Sequence, residues 1–563
     1  MSRAAVMLVF VAMFLACSVL AAGSAATDGN ATATDTVGRA RFVALYPNPV
    51  ADGDVGEYVT LSVPEETNLT GWTLSDDDAT VALPNTTVSG RITLATDPTP
   101  ARTLTDAPVS ALDGHIALAN GGENLTVSDG NRIVARIRYG DAPEGERGRP
   151  ENGTLVWEPL STTDFPVRDG GPGQVRTFVL PDAGGLASDV LASADDRILL
   201  AGYTFTSSSI TDTLIAAERR GVAVRVLLEG GPVGGMTIRQ ARLLDRLVAN
   251  GVAVQVVDGP YARVDHHHAK YAVVDDRALV LTENWKPAGT GGASSRGWGV
   301  LLTQRELVAD LVATFRADAG WRDSIPWRQF RDGREFTEGG RANGSFPRRY
   351  RPRTYRVTDV ALLVAPDNAE RAVIERLDAA KQSIDVIQVG VGGPDQAFVR
   401  ALKRAADRGV DVRLLLSRAW YAEAENLAVA STLAQWADRT NASLSVRLAR
   451  SRDRFEKIHA KGVVIDNEVV LLGSLNWNDH SARANREVVV ALEGSGPAGY
   501  YERVFVGDWR AAVWRLTLGL GGVVMLAIVI ATLVGQRIDY HAAPGVDATG
   551  SNDAVDAAIE DGF

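Results

Sequence analysis

The sequence predicts a multidomain chain: an N-terminal all-β sandwich, two α/β repeats related by a pseudo-two-fold, and a C-terminal transmembrane helix. Three observations predict it. Residues 40–142 carry short apolar stretches broken by Gly, Pro, Asn and Asp; the chain from 173 to 510 states one pattern twice; residues 516–535 hold no charge. At 563 residues the chain exceeds one ordinary core. Its 45% hydrophobic and 23% charged composition is globular and excludes a disordered chain. A net charge of −11 argues against steering of nucleic acid by the molecule as a whole. Only six of its 58 basic residues are lysine: Lys270, Lys286, Lys381, Lys403, Lys457 and Lys461. Abundant acid with so little lysine suits a salt-adapted proteome, and GC-rich codon bias would give the same arginine excess.

The ends carry targeting signals. Arg3 precedes an apolar run over residues 6–22, and Ser24-Ala25-Ala26 offers small residues for cleavage, so 1–26 is expected to be a signal peptide. Its removal takes away Cys17, the single cysteine, and with it any disulfide or zinc-thiolate site. The twenty residues 516–535 are long enough to span a hydrocarbon core of roughly 30 Å. Together these expect residues 27–515 outside the cell membrane and the acidic tail 536–563 inside. Arg503, Arg510 and Arg515 before the span run against the positive-inside rule, but long domains translocate largely regardless of charge. Seven Asn-x-Ser/Thr sequons, at Asn30, Asn68, Asn85, Asn124, Asn152, Asn343 and Asn441, favour the same side.

Strand-like runs and turn residues over 40–142 fit a sandwich. Tyr46-Pro47-Asn48-Pro49, Glu57-Tyr58-Val59, Leu69-Thr70-Gly71-Trp72-Thr73-Leu74-Ser75-Asp76, Gly121-Gly122-Glu123-Asn124-Leu125 and Asp129-Gly130 follow in an order that resembles the lamin-tail domain. The resemblance covers about 100 residues and implies an immunoglobulin-like sandwich used for adhesion or positioning, often beside secreted nucleases. Residues 143–172, rich in Gly, Pro and Glu, are expected to be a linker.

The repeats, expected at 173–330 and 356–510, share a layout. A helix ending at Arg220-Gly221 leads to the strand Val222-Ala223-Val224-Arg225-Val226-Leu227-Leu228; its counterpart is Asp407-Arg408-Gly409 before Val410-Asp411-Val412-Arg413-Leu414-Leu415-Leu416. His268 follows Gly221 by 47 positions, and His459 follows Gly409 by 50. Both copies close on Phe, Asp and Trp: Phe315, Asp318, Trp321 and Phe505, Asp508, Trp509. Strands alternating with helices make α/β units. Between the copies, the expected linker 331–355 sits in a stretch (328–356) with nine Arg against three acids, interleaved with aromatics. That mixture can grip single-stranded nucleic acid; the plainer reading is a linker whose arginines pair with surface acids.

The chemistry lies in His268-Ala-Lys270-Tyr-Ala-Val-Val-Asp275, followed by Thr282-Glu283-Asn284-Trp285, and in His459-Ala-Lys461-Gly-Val-Val-Ile-Asp466, followed by Gly473-Ser474-Leu475-Asn476-Trp477. On a strand, residues two apart face one side, so each His and Lys enter one pocket. Asp275-Asp276-Arg277 and Asp466-Asn467 read as hairpin turns, and the returning strands bring Asn284, Ser474 and Asn476 back to that pocket. These runs resemble the phospholipase D superfamily motif, over about 330 residues and twice in register. The resemblance implies a metal-independent phosphodiesterase without cofactor, in which one neutral imidazole attacks phosphorus and the other protonates the leaving alkoxide. Lys270, Lys461, Asn284, Ser474 and Asn476 would hold the phosphoryl oxygens.

The resemblance makes His268 the nucleophile. Glu487, from the second copy, matches the family's orienting carboxylate; placed on His459, it would make that residue the better base or nucleophile. The roles of the two histidines stay open. Glu283 is the first copy's candidate to orient His268, and Asp275 and Asp466 are assigned structural roles. Against the second copy the first shows Thr282-Glu283 for Gly-Ser and is one residue shorter, so the alternative is a non-catalytic surface or adhesion protein with a degenerate first motif. His266 and His267 face opposite sides of a strand, so no metal site is expected there. The expected partners are a phosphodiester, nucleic acid or phospholipid, and the membrane through the C-terminal helix; no obligatory protein partner is evident.

Overall fold

The computed structural model describes residues 40–512 apart from 52, 54, 260–262, 341 and 450–452. The expected signal peptide, transmembrane helix and acidic tail lie outside the described residues. Among the described residues, no helix is long and apolar enough to cross a membrane.

The chain divides into two units, with the boundary after Glu158 and residues 50–55 grouped with the second. In the first unit alternating apolar residues build two sheets. One runs in the order Thr154–Pro159, Glu146–Glu151, Arg41–Tyr46, Tyr58–Asn68, Thr87–Ala95, Val109–Ala111; the other is Thr80–Ala82, Trp72–Ser75, Asn124–Asp129, Arg132–Arg138. Leu45, Leu61, Leu74, Leu94, Leu125 and Val127 form their shared core. The Leu69–Leu74 stretch works by alternation: Leu69, Trp72 and Leu74 are buried, and Gly71, at φ +81°, turns the chain into the strand.

The expected linker over 143–172 carries three short strands, Glu146–Glu151, Thr154–Pro159 and Arg168–Asp169. Asn152 and Gly153 both take positive φ and close a two-residue hairpin between Glu146–Glu151 and Thr154–Pro159. That hairpin joins the larger sheet, with Leu45 opposite Gly148 and Trp157 packed on the core. Arg168–Asp169 pairs with Asp359–Ala365 in the second unit. Gly and Pro richness masked the strongest local hairpin signal in the segment.

In the second unit each repeat has the same sheet. Arg197–Gly202, Ala223–Glu229 and Ala253–Val257 are parallel, and Tyr271–Val274, Arg277–Leu281 and Ser295–Leu302 continue antiparallel on the other side of Arg197–Gly202. Ser383–Gln388, Asp411–Leu416, Leu444–Leu448, Gly462–Ile465, Val469–Gly473 and Asn485–Glu493 repeat the order. One apolar core belongs to both repeats: Tyr271, Val280, Trp298, Leu311 and Phe315 of the first join Val464, Leu472, Val488, Tyr501 and Phe505 of the second. Trp298 stacks on Tyr501 with centroids 4.6 Å apart, and the Tyr501 hydroxyl donates to the Gly299 carbonyl at 2.6 Å. The other face of each sheet carries its own helices and core.

The Arg/aromatic linker is built in, too. Arg353–Val357 forms an edge strand on Gly173–Leu180. Phe330 is buried, Phe336 packs on the first repeat's outer core and Tyr350 on the shared core. Arg331 pairs with Asp245 at 2.6 Å and Arg334 with Asp258 at 2.5 Å. These aromatics are spent on packing, which favours the plainer reading.

Candidate active site

Each His-x-Lys run feeds directly into a buried strand, Tyr271–Val274 or Gly462–Ile465. The residues just before each motif cross to the other repeat. His266–His267 lies parallel on Asn485–Arg486, and Lys457–Ile458 lies parallel on Ser295–Arg296. The His268 N–H donates to the Arg486 carbonyl and the His459 N–H to the Arg296 carbonyl, both at 3.0 Å. Backbone pairing thus fixes each motif histidine against the opposite repeat, where its side-chain partner also lies.

That partner is not the one expected. Glu487 sits against His268 of the first copy, its two oxygens 2.8 and 2.9 Å from Nδ1. Glu283 sits against His459 of the second, Oε2 3.3 Å from Nδ1. Both within-copy assignments are therefore corrected to crossed ones. The reason is the swap of short strands: the end of each sheet that carries a carboxylate faces the neighbouring motif.

Burial dominates the electrostatics. It lowers the His268 imidazole to about 4, against the opposing pull of Glu487, and holds His459 well below the ordinary range. Lys461, Lys286, Lys270 and Lys457 add to that on His459, so four of the chain's six lysines act on one imidazole. Burial lowers Lys270 strongly and brings Lys461 to about 8. Each ammonium is anchored on its own motif, Lys270 Nζ on the His268 carbonyl at 2.5 Å and Lys461 Nζ on that of His459 at 2.9 Å. Tyr203 packs its ring 4.7 Å from that of His268, edge to face. Asn284 and Asn476 each keep a buried side-chain oxygen without a hydrogen-bond partner among the described residues. The His268 imidazole is therefore neutral near pH 7, and with its Nδ1 taken by Glu487, Nε2 is its free nucleophilic atom.

The Ser474 hydroxyl accepts from the Val488 N–H at 3.0 Å and donates to the Val488 carbonyl at 3.4 Å, which holds it on the strand end. Asp275 accepts the N–H groups of Asp195, Asp196 and Arg197, and Asp466 those of Lys381, Gln382 and Ser383. Both tie the hairpin turn to the start of the first parallel strand. The residue missing from the first motif is missing in that turn. Val274 faces Arg277 across two residues, whereas Ile465 faces Val469 across three. Thr282 therefore stands where Ser474 stands, and its hydroxyl accepts from the Trp298 N–H at 2.9 Å.

Sequence reasoning missed the supports beneath the site. Arg296, fully buried, binds Asp182 at 2.7 Å and Asp508 of the other repeat at 2.8 Å. Arg486, equally buried, binds Asp318 of the other repeat at 3.1 Å and lies 3.6 Å from Asp367. The two closing Phe, Asp and Trp patterns held the available signal, since their aspartates are these partners. Among the described residues, no group of three or more His, Cys, Asp or Glu is placed to hold a metal.

Two α/β repeats of one topology thus present paired His-x-Lys runs at a shared junction. Residues 188–319 and 373–509 match the family model described as cardiolipin synthase, PLD-like domain. Among curated proteins the chain is similar to cardiolipin synthase A of Pseudomonas aeruginosa, 33% identical over 125 residues, 21% of this chain and 23% of that protein. It is also similar to cardiolipin synthase 2 of Staphylococcus epidermidis, 30% identical over 143 residues, 24% of this chain and 26% of that one. The matches thus span about a quarter of these relatives' length. Among solved structures it resembles a phosphatidylserine synthase from Haemophilus influenzae, with a TM-score of 0.46 and 14% identity over 64% of this chain and 94% of that one. Another is the phospholipase D family member Nuc from Salmonella typhimurium, with a TM-score of 0.25 and 19% identity over 28% and 97%.

Proposed function

We propose that the chain is a phosphodiesterase or phosphatidyl transferase acting on phospholipid diesters through a phosphohistidine. One observation carries the chemistry: two buried imidazoles, each facing a carboxylate from the opposite repeat, with four lysines around them. In this reading the bound diester anion offsets the lysines and favours a protonated His459; Nε2 of His268 attacks phosphorus, the P–O bond to the leaving alcohol breaks, and His459 gives its proton to the departing oxygen. His459 then takes a proton from water or an acceptor alcohol; that oxygen attacks phosphorus, and the P–N bond breaks. Lys270 and Lys461, with Asn284 and Asn476, stabilise the charge on the phosphoryl oxygens.

The choice of lipid over nucleic acid is supported by the names of the curated relatives and by the packed Arg/aromatic segment. Attachment to a membrane with the catalytic unit outside is supported by the apolar runs 6–22 and 516–535. The lamin-tail-like order of residues in the first unit supports a positioning role for it.

The test is turnover of bis-p-nitrophenyl phosphate, phospholipid vesicles and DNA by the full chain, with EDTA present throughout. Turnover of the vesicles, unchanged by EDTA, is expected, with acid-labile phosphate on His268 and loss of both in His268→Ala. Cleavage that survives both His268→Ala and His459→Ala sinks the mechanism; cleavage of DNA alone sinks the choice of substrate.

A further inference from the structure

Register makes the two repeats comparable residue by residue. The N–H groups of Thr282 and Ser474 donate to the carbonyls of Trp298 and Val488, at 3.0 and 2.9 Å, and both hydroxyls accept from the N–H of those same residues. Thr282 thus stands with Ser474, Asn284 with Asn476, and Trp298 with Val488. Counting one residue along each segment puts Glu283 at the place of Leu475, and Gly297 at the place of Glu487. The second repeat therefore supplies its carboxylate from its last strand, and the first repeat has only glycine at that place. Its own carboxylate stands on the neighbouring segment.

The two departures compensate in space. A Cβ built at Gly297 would collide with Cγ of Glu283 and lie 2.7 Å from its Oε1. The Glu283 side chain fills the room that a side chain at 297 would need. It is fully buried, and its carboxylate has His459 Nδ1 at 3.3 Å, beside the 2.8 Å contact of Glu487 with His268.

We propose that Glu283 is the positioning carboxylate of His459, moved across the strand pair from position 297, so that the first motif has exchanged its carboxylate and not lost it. The proposal rests on the phosphodiester reading above. On that reading Glu283 fixes the His459 ring and receives charge as the imidazole is protonated, the part Glu487 takes for His268.

Three variants of the full chain test it: Glu283→Leu, Glu283→Gln and the double exchange Glu283→Leu with Gly297→Glu. The double variant recreates the second repeat's arrangement in the first. Glu283→Leu should lower kcat at least 100-fold with KM nearly unchanged, in the range of a lost acid–base partner. The double variant should regain at least tenfold of that loss, because only the carboxylate's position relative to His459 has been restored. Glu283→Gln, which keeps the side-chain shape, should lose the limb of the kcat profile near pH 7. Wild-type turnover with Glu283→Leu equally active overturns the proposal. So does a folded double variant that regains nothing. An inactive wild type that never labels a histidine fails the underlying reading instead, and the two failures are separate.

Discussion

At the scale of single residues, the site works by withholding water from charge. Burial raises the Glu283 carboxyl from 4.5 to about 7 although four lysines pull it down. The folded chain keeps this proton where the unfolded chain has lost it. The resulting stabilisation is complete below about 4.5 and is lost as the pH climbs to about 7. Glu283→Gln cannot ionise, so its Tm relative to the wild type should rise between pH 5 and pH 8 in calorimetric scans. A Tm difference that stays flat over that interval would mean the carboxyl titrates as a solvated one. The pairing of each His with a Lys two positions on was legible, because i and i+2 share a side in extended chain. The carboxylates were misassigned for a physical reason: Glu487 stands 219 positions from His268, and no local pattern encodes which repeat it faces.

At the scale of elements, the hairpin that carries each motif is held by one aspartate. Asp275→Ala or Asp466→Ala removes the acceptor of three backbone N–H groups, which should cost about 1–3 kcal/mol in urea unfolding. Catalysis at low temperature should survive, since neither side chain reaches the imidazoles. A large loss of kcat with stability unchanged would give these residues a chemical role instead. The turn itself explains why the first motif reads as damaged. A two-residue turn replaces a three-residue one, and everything after it slips by one in sequence but not in space. Strand alternation and turn chemistry were legible in both copies; the equivalence of Thr282 with Ser474 needed the ladder.

At the scale of the whole molecule, the crossed ion pairs join the two repeats. Arg296 of the first repeat is held by Asp508 of the second, and Arg486 of the second by Asp318 of the first, all nearly or wholly buried. Removing one partner leaves a guanidinium short of its countercharge in low dielectric. Asp508→Ala should therefore cost about 3–5 kcal/mol, and unfolding followed by tryptophan fluorescence should show it. Turnover should fall with it, since the Arg296 carbonyl holds the His459 N–H. An Asp508→Ala protein as stable as the wild type would show that the Arg296–Asp508 pair does not hold the repeats together.

The sequence alone determined the duplication, the sheet-forming runs of each repeat and the four motif residues His268, Lys270, His459 and Lys461. Each of these is a short-range property, set by alternation, spacing or turn-forming residues within a few positions. Tertiary structure alone decided that the carboxylates cross between repeats, that Ser474 and Thr282 hold strand ends, that the segment after residue 142 finishes the first unit's sheet, and that Glu283 occupies the room left by Gly297. Those outcomes depend on which backbone ladders meet and which side chains compete for one buried volume, and contacts made from 14 to 219 residues apart leave no period in the sequence to read.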